Sequence, residues 1–246
     1  TKNVLKTVSP TGIAEKRNLN QDAVYTSERP VGKLPNLFLV ADGMGGHNAG
    51  DYASRRAVET IVEHIEGATE ENPAEILGNA IAAANTRVRR EAEENPERKG
   101  MGTTVVAACC DGKALHVANV GDSRLYVIGK KKIRQITRDH SWVEEMVRRG
   151  GLDREAAKTH PDKNIITRAV GAEDTVRTDF FSVELDEDDL VLMCTDGLTN
   201  MLEDDEILNV VESARDIVEM AESLVNAANE KGGRDNISVI LIAPLA

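Results

Sequence analysis

Five aspartates in this chain share one setting: a carboxylate beside a short apolar run of strand character. Asp42 follows Phe38-Leu39-Val40-Ala41, Asp122 follows Val117-Ala118-Asn119-Val120-Gly121, and Asp196 closes Leu190-Val191-Leu192-Met193-Cys194-Thr195. Asp235 opens the run Ile237 to Ile242, and Asp22 precedes Ala23 to Thr26. Carboxylates repeated at strand ends can meet on one rim of a sheet. Bare anions gathered there repel, and hard divalent cations, which prefer oxygen ligands, are the natural remedy. Gly43 fits the same chemistry, because a residue without a side chain lets its carbonyl approach a metal already held by Asp42. Asp42-Gly43 and Asp196-Gly197 each follow a strand and precede a helix, so helix capping is the competing role. Asp111-Gly112 lies between two strands and reads as a plain turn.

Other candidates are less specific. Arg17, five residues before Asp22, is suited to grip a phosphate by two oxygens, or to pair with a nearby acid. His47 is either a proton shuttle or a solvated loop residue. His64 and His116 fall in a helix and a strand and read as structural. His140 and His160 bracket a polar segment in which a substrate role is open, and Trp142 reads as a packing anchor. Gly43-Met44-Gly45-Gly46-His47 lacks the Gly-Lys-Ser/Thr ending of a phosphate loop. No HExxH, EF-hand or Cys-x5-Arg spacing occurs.

The elements that must position these groups follow from periodicity. Strands are expected at 3–9, 23–27 and 36–41. Ala53, Ala57, Val58, Ile61, Val62 and Ile65 recur at helical spacing over 49–66, and Ile76, Leu77, Ala80, Ile81, Ala84 and Val88 do so over 73–94. Runs at 103–110, 113–120, 122–128 and 131–137, separated by Asp111-Gly112 and Gly129-Lys130, predict an antiparallel meander. Residues 139–168 read as a flap-like excursion with a short helix near 141–149. Strands at 176–185 and 188–195, helices at 204–212 and 214–231, and a strand at 236–243 complete the chain. Helices in pairs between antiparallel strands predict sheets packed together with helices outside. One domain over residues 1–246, with the aspartates at one end of a β-sandwich, is the simplest arrangement.

The 246 residues are 41% hydrophobic, enough for a sizeable core, and carry a formal net charge of -12. That balance argues against nucleic-acid or anionic-membrane partners, which favour a basic face. Cys109, Cys110 and Cys194 lie in apolar runs and read as buried free thiols in a reducing compartment. No apolar run approaches the roughly 20 residues of a membrane span, and Thr1-Lys2-Asn3 does not open a signal peptide. These features predict a cytoplasmic protein.

As a set, Arg17-x-x-Asn20-x-Asp22, Val40-Ala41-Asp42-Gly43-Met44-Gly45-Gly46-His47, Gly102-Thr103-Thr104, Val120-Gly121-Asp122-Ser123-Arg124, Cys194-Thr195-Asp196-Gly197-Leu198 and Gly233-Arg234-Asp235-Asn236-Ile237-Ser238 resemble the metal-dependent protein phosphatases of type 2C. The nearest likeness is to the bacterial serine/threonine phosphatase branch. The resemblance implies an α+β fold, a four-layer αββα sandwich of two antiparallel sheets flanked by helices. It implies hydrolysis of phosphoserine and phosphothreonine esters by direct attack of a metal-bridging water or hydroxide at a binuclear Mn²⁺ or Mg²⁺ centre. By position, Asp42 would bridge two metals, Gly43 would offer a carbonyl to one, and Asp196 and Asp235 would bind the other. Asp122 would hold a third, weaker ion together with Asp196. Asp22 would orient metal-bound water, Arg17 would grip the phosphate, and Asn236 would sit beside the last ligand. Expected partners are phosphoproteins, including a bacterial serine/threonine kinase, for a monomeric enzyme. Many eukaryotic members carry Glu at the position of Gln21 and His at that of Met44. Met44 cannot donate a proton, which leaves His47, a bound water or no group as the general acid. A phosphatase-like binding module, or an enzyme acting on another phosphoester, are the rival readings.

Overall fold

The computed structural model describes residues 4–8, 11–12 and 20–245. Twelve strands form two six-stranded sheets, and every strand pairing among the described residues is antiparallel. The first sheet runs in the order β1 (Val4–Val8), β12 (Ile237–Leu245), β11 (Leu190–Cys194), β8 (Arg124–Gly129) and β9 (Lys132–Gln135), with β2 (Thr11–Gly12) paired to β12. The second runs β10 (Asp179–Glu184), β7 (Ala114–Val120), β6 (Val105–Asp111), β4 (Leu37–Met44) and β3 (Asp22–Ser27), with β5 (Gly102–Thr103) paired to β4.

Alternation along the strands explains the layers. Leu37, Leu39 and Ala41 face outward to helices α1 (Ala49–Glu66) and α2 (Pro73–Glu94), together with Val105, Ala107 and Cys109. Phe38, Val40, Val106, Ala108 and Cys110 face inward, against Leu125, Val127, Val191, Met193, Ile240 and Ile242 of the other sheet. The far side of that sheet, including Tyr126, Leu192, Cys194, Val239 and Leu241, packs on α6 (Asp204–Ser213) and α7 (Ile217–Glu230). Strands buried on both faces must be apolar at every position, which is why they read as continuous runs. Phe38 is fully buried between the sheets, and its truncation to Ala would cost about 3–5 kcal/mol. The expected αββα sandwich is therefore the observed one.

Local signals set the helix ends. Pro73 occupies the first turn of α2, and the Asn72 side chain accepts hydrogen bonds from the backbone N–H groups of Ala74 and Glu75. Asp216 caps α7 through Glu219 N–H.

The meander expected over 103–137 is corrected. Its two hairpins form, β6 with β7 and β8 with β9, but they belong to different sheets. Gly121-Asp122-Ser123 carries the chain from one sheet to the other. Gly121 adopts φ +112°, and a Cβ there would lie 2.6 Å from the Thr104 side chain. The hairpin turns sit one residue later than expected, at Gly112-Lys113 and Lys130-Lys131. The strand expected at 36–41 also runs on to Met44, because β5 pairs with Gly43 and Met44. The helices α3 (Trp142–Arg148), α4 (Arg154–Lys158) and α5 (Asp196–Thr199) complete the set. Of these, only α3 is marked by the sequence periodicity.

Candidate metal centre

The sandwich brings both sheets' aspartates to one end. Asp22 opens β3 and stands directly across from Asp42 of β4. Asp196 begins α5, two residues beyond β11, and Asp235 lies two residues before β12. Asp42, Asp196 and Asp235 each offer a carboxylate oxygen within 4.8 Å of the others. Asp122 lies on the crossover and, with Asp196, lines a cleft of ≈ 610 Å³ beneath the 139–168 excursion. Arg17 lies outside the described residues.

The two Asp-Gly dipeptides owe their glycines to backbone crowding. A Cβ on Gly43 would meet the Gly50 carbonyl oxygen at 1.8 Å, and one on Gly197 would meet the Asn236 carbonyl oxygen at 1.9 Å. Any side chain would therefore push α1 away from β4, or α5 away from the segment carrying Asp235.

A ring of small hydroxyl side chains holds the acids. Ser238 Oγ and Thr195 Oγ1 donate to Asp22 Oδ2 at 2.7 and 3.1 Å, joining the two sheets. The Thr195 hydroxyl also accepts from Ser238 N–H at 3.1 Å. On the other side, Thr104 Oγ1 accepts from Asp42 N–H at 3.0 Å and bonds Ser123 Oγ at 2.8 Å. All four hydroxyl residues are buried. Asn236 accepts from Gln21 N–H at 3.2 Å through Oδ1, and its own N–H donates to Asp235 Oδ1 at 2.8 Å. Gln21 contributes its backbone carbonyl, which receives Gly43 N–H and Ser54 Oγ. No role for the four hydroxyls emerges from the spacing alone, although a Ser or Thr next to an acid in an apolar run (Thr195-Asp196, Asp122-Ser123) is a readable mark.

His47 is exposed in the turn before α1, with φ +53°. His140 is not a substrate ligand: it is buried, and both ring nitrogens are engaged within the protein. His160 packs on Trp142, with ring centroids 5.0 Å apart, so Trp142 anchors the excursion internally.

The charge left in this cluster is unbalanced. Burial pushes the Asp22 carboxyl up to about 7. Asp42 is held well above the usual carboxylate range by burial and then by the charges of Asp196 and Asp22. Burial likewise raises Asp122 and Asp196, with Asp196 acting on Asp122 and Asp235 on Asp196. Arg124 is the cation that tempers both, but its guanidinium is already clamped by Asp139, with Nε and Nη2 donating at 2.9 and 2.7 Å. Asp22 Oδ1 and Asp196 Oδ1 are buried without a hydrogen-bond partner. An all-oxygen donor set, excess negative charge and unused buried oxygens together fit hard divalent cations. The three thiols are free and buried, and burial pushes Cys109, Cys110 and Cys194 up to about 12, 11 and 12. They are inert at neutral pH.

Known proteins resemble this chain in sequence and in fold. Residues 12–241 match the sequence model of the family described as Protein phosphatase 2C. A serine/threonine phosphatase named stp from Listeria welshimeri is 41% identical over 210 residues, covering 84% of this chain and 83% of that protein. The crystal structure of the serine/threonine phosphatase Stp1 from Staphylococcus aureus superposes with a TM-score of 0.91 at 35% identity, covering 98% of this chain and 95% of that one. The catalytic domain of the serine threonine protein phosphatase PstP, solved in complex with 2 manganese ions, does so with a TM-score of 0.87 at 29% identity over 99% of both chains. With its sandwich, its ordered motifs and its rim of carboxylates, this chain belongs to the protein phosphatase 2C family.

Proposed function

We propose that the chain is a metal-dependent protein phosphatase that hydrolyses phosphoserine and phosphothreonine esters. The observation that supports this most is the convergence of Asp42, Asp196 and Asp235 from both sheets, within 4.8 Å, beside the buried Asp22 Oδ1 and Asp196 Oδ1, which accept no hydrogen bond. Asp42, Gly43, Asp196 and Asp235 would hold two Mn²⁺ or Mg²⁺ ions, and Asp122 with Asp196 a third. When bound, such ions supply positive charge against the phosphoryl oxygens and make water a competent nucleophile near neutral pH.

The chain's own residues do the rest. Asp22 is fixed through Oδ2 by Ser238 and Thr195, which leaves Oδ1 to accept a hydrogen bond from the attacking water or to hold its proton. Asn236 orients the segment around Asp235. Arg17 keeps the phosphate-gripping role on its sequence position. The cleft beside Asp122 and Asp196 can take the residues flanking a phosphorylated side chain.

Residues 1–246 would act as a single, monomeric domain in the cytoplasm, and phosphorylated proteins, a serine/threonine kinase among them, would be its substrates. Among the described residues no helix is long and apolar enough to cross a membrane. The test is phosphate release from a phosphothreonine peptide by metal-stripped protein titrated with Mn²⁺ and Mg²⁺. Release that needs metal and is lost in Asp196→Asn is expected. No release at any metal concentration would overturn the assignment.

A further inference from the structure

His140 stands at the foot of the 139–168 excursion, where three parts of the molecule meet. Its Nδ1 accepts a hydrogen bond from Gly121 N–H at 2.9 Å, and its own N–H donates to the Gly121 carbonyl at 3.0 Å. Its Nε2–H donates to Asp179 Oδ2 at 2.7 Å, where β10 begins. The tautomer follows from these partners, since a backbone N–H needs a lone pair at Nδ1 and a carboxylate needs a proton at Nε2. The excursion returns to the same point: Thr167 N–H donates to the His140 carbonyl at 2.9 Å, and Arg168 Nη1 bonds Asp179 Oδ1 at 2.9 Å. One carboxylate thus receives a residue from each root of the excursion.

The Gly121 side of this joint leads into the metal centre. Gly121 precedes Asp122, and Ser123 bonds Thr104, which receives Asp42 N–H. Gly121 is held in a backbone conformation that only glycine takes easily and lies against Thr104, so the crossover has little freedom of its own.

We infer that His140 is a positioning residue with two separable duties. Nδ1 fixes the crossover that presents Asp122, and Nε2–H fixes the angle at which the excursion stands over the cleft. The inference rests on the phosphatase reading for what the cleft binds, and on the metal role proposed for Asp122.

Two substitutions divide the duties. Gln places its amide nitrogen near the Nε2 position and can keep the bond to Asp179, but leaves Gly121 N–H without an acceptor. Asn places an amide oxygen near the Nδ1 position and can serve Gly121, but cannot reach Asp179. Mn²⁺ binding to metal-stripped protein is followed by calorimetry, beside Asp122→Ala. His140→Gln is expected to weaken Mn²⁺ binding roughly tenfold, the size of effect seen when a residue orienting a metal ligand is lost, in the same phase that Asp122→Ala disturbs. His140→Asn is expected to bind Mn²⁺ like the wild type. It should instead speed amide exchange in Trp142–Arg148 and raise KM for a phosphothreonine peptide several-fold more than KM for p-nitrophenyl phosphate. Asp179→Ala, which removes this bond and the Arg168 ion pair while leaving the ring in place, should show at least the changes of His140→Asn.

If Asp122→Ala weakens Mn²⁺ binding while folded His140→Gln does not, the first duty is refuted. If Asp179→Ala leaves exchange and the KM ratio at wild-type values, the second is refuted. Wild-type Mn²⁺ binding by Asp122→Ala removes the metal role of Asp122 and the first duty with it. Absence of phosphate release by the wild type would overturn the phosphatase reading alone, because the binding and exchange measurements still decide the case of His140.

Discussion

The dipeptide Asp-Gly occurs at the rim of each sheet, and the two copies reach one chemical end by different local structures. Asp42-Gly43 lies inside β4, where the aspartate is paired across the sheet with Asp22 and its N–H is taken by a threonine hydroxyl. Asp196-Gly197 begins a four-residue helix beyond β11, and the residue at the N-cap is Thr195 rather than the aspartate. Both glycines are forced by a backbone carbonyl closer than 2 Å to where Cβ would be, at Gly50 in one case and Asn236 in the other. Neither aspartate therefore serves the helix-capping role that its sequence setting allowed. What the copies share is the rim, and a carboxylate left with a surplus of negative neighbours.

The largest effect should come from removing either rim carboxylate. Asp42→Asn and Asp196→Asn should each lower phosphopeptide turnover roughly 10²–10³-fold or more, the scale at which an electrostatic group at a reacting centre is lost. In the same variants, metal-free protein should melt at a higher temperature than the wild type, since burial and mutual repulsion already penalise these charges. A melting temperature that falls with activity would mean that the carboxylates are structural, and the comparison would collapse into two packing motifs.

The glycines come next. Gly43→Ala and Gly197→Ala should each cost about 3 kcal/mol or more, because backbone has to move. Gly112→Ala, in the third Asp-Gly, meets nothing within 4 Å and has only its φ of +64° to resist it, so about 1 kcal/mol is expected. Denaturant unfolding of the three variants distinguishes a rim dipeptide from a turn dipeptide. Equal costs would break that distinction.

Ser238→Ala addresses the tie between the halves. It removes the shorter of the two hydrogen bonds to Asp22 Oδ2, and should weaken metal-dependent turnover about 10–100-fold with little change in phosphopeptide KM. A pure rise in KM would place Ser238 with the substrate instead.

Much of this was legible in the chain. Helices in pairs between antiparallel strands announced packed sheets with helices outside, and the ordered aspartates announced the rim. What stayed hidden was hidden for physical reasons. The break between β7 and β8 occurs at Gly121-Asp122-Ser123, and a crossover between sheets looks like one more turn when only local spacing is read. The hydroxyls of Thr104, Ser123, Thr195 and Ser238 act across 19 to 216 residues of sequence separation, which no local pattern encodes. His140 reads in the sequence as one end of a polar segment with a substrate role open, because its true partners, Gly121 and Asp179, are far away along the chain.

The smallest expected effect is the pH response of the metal-free protein, and its sign follows from Asp22. In the unfolded chain this carboxyl titrates near 3.8, and in the folded protein at about 7. Between those values the folded state holds the proton and the unfolded state does not. The folded state thus binds more protons, and stability must fall as pH rises through that window. Asp42, Asp122 and Asp196 are shifted in the same direction and add to the slope. Melting temperature in the presence of a chelator should therefore decline steadily from about pH 5 to pH 8. Saturating Mn²⁺ should raise it most at the upper end, where protons no longer compete for the carboxylates. A metal-free profile that is flat, or that rises with pH, would mean that the acids on the two rims do not share one buried site. Asp42-Gly43 and Asp196-Gly197 would then be alike in sequence only.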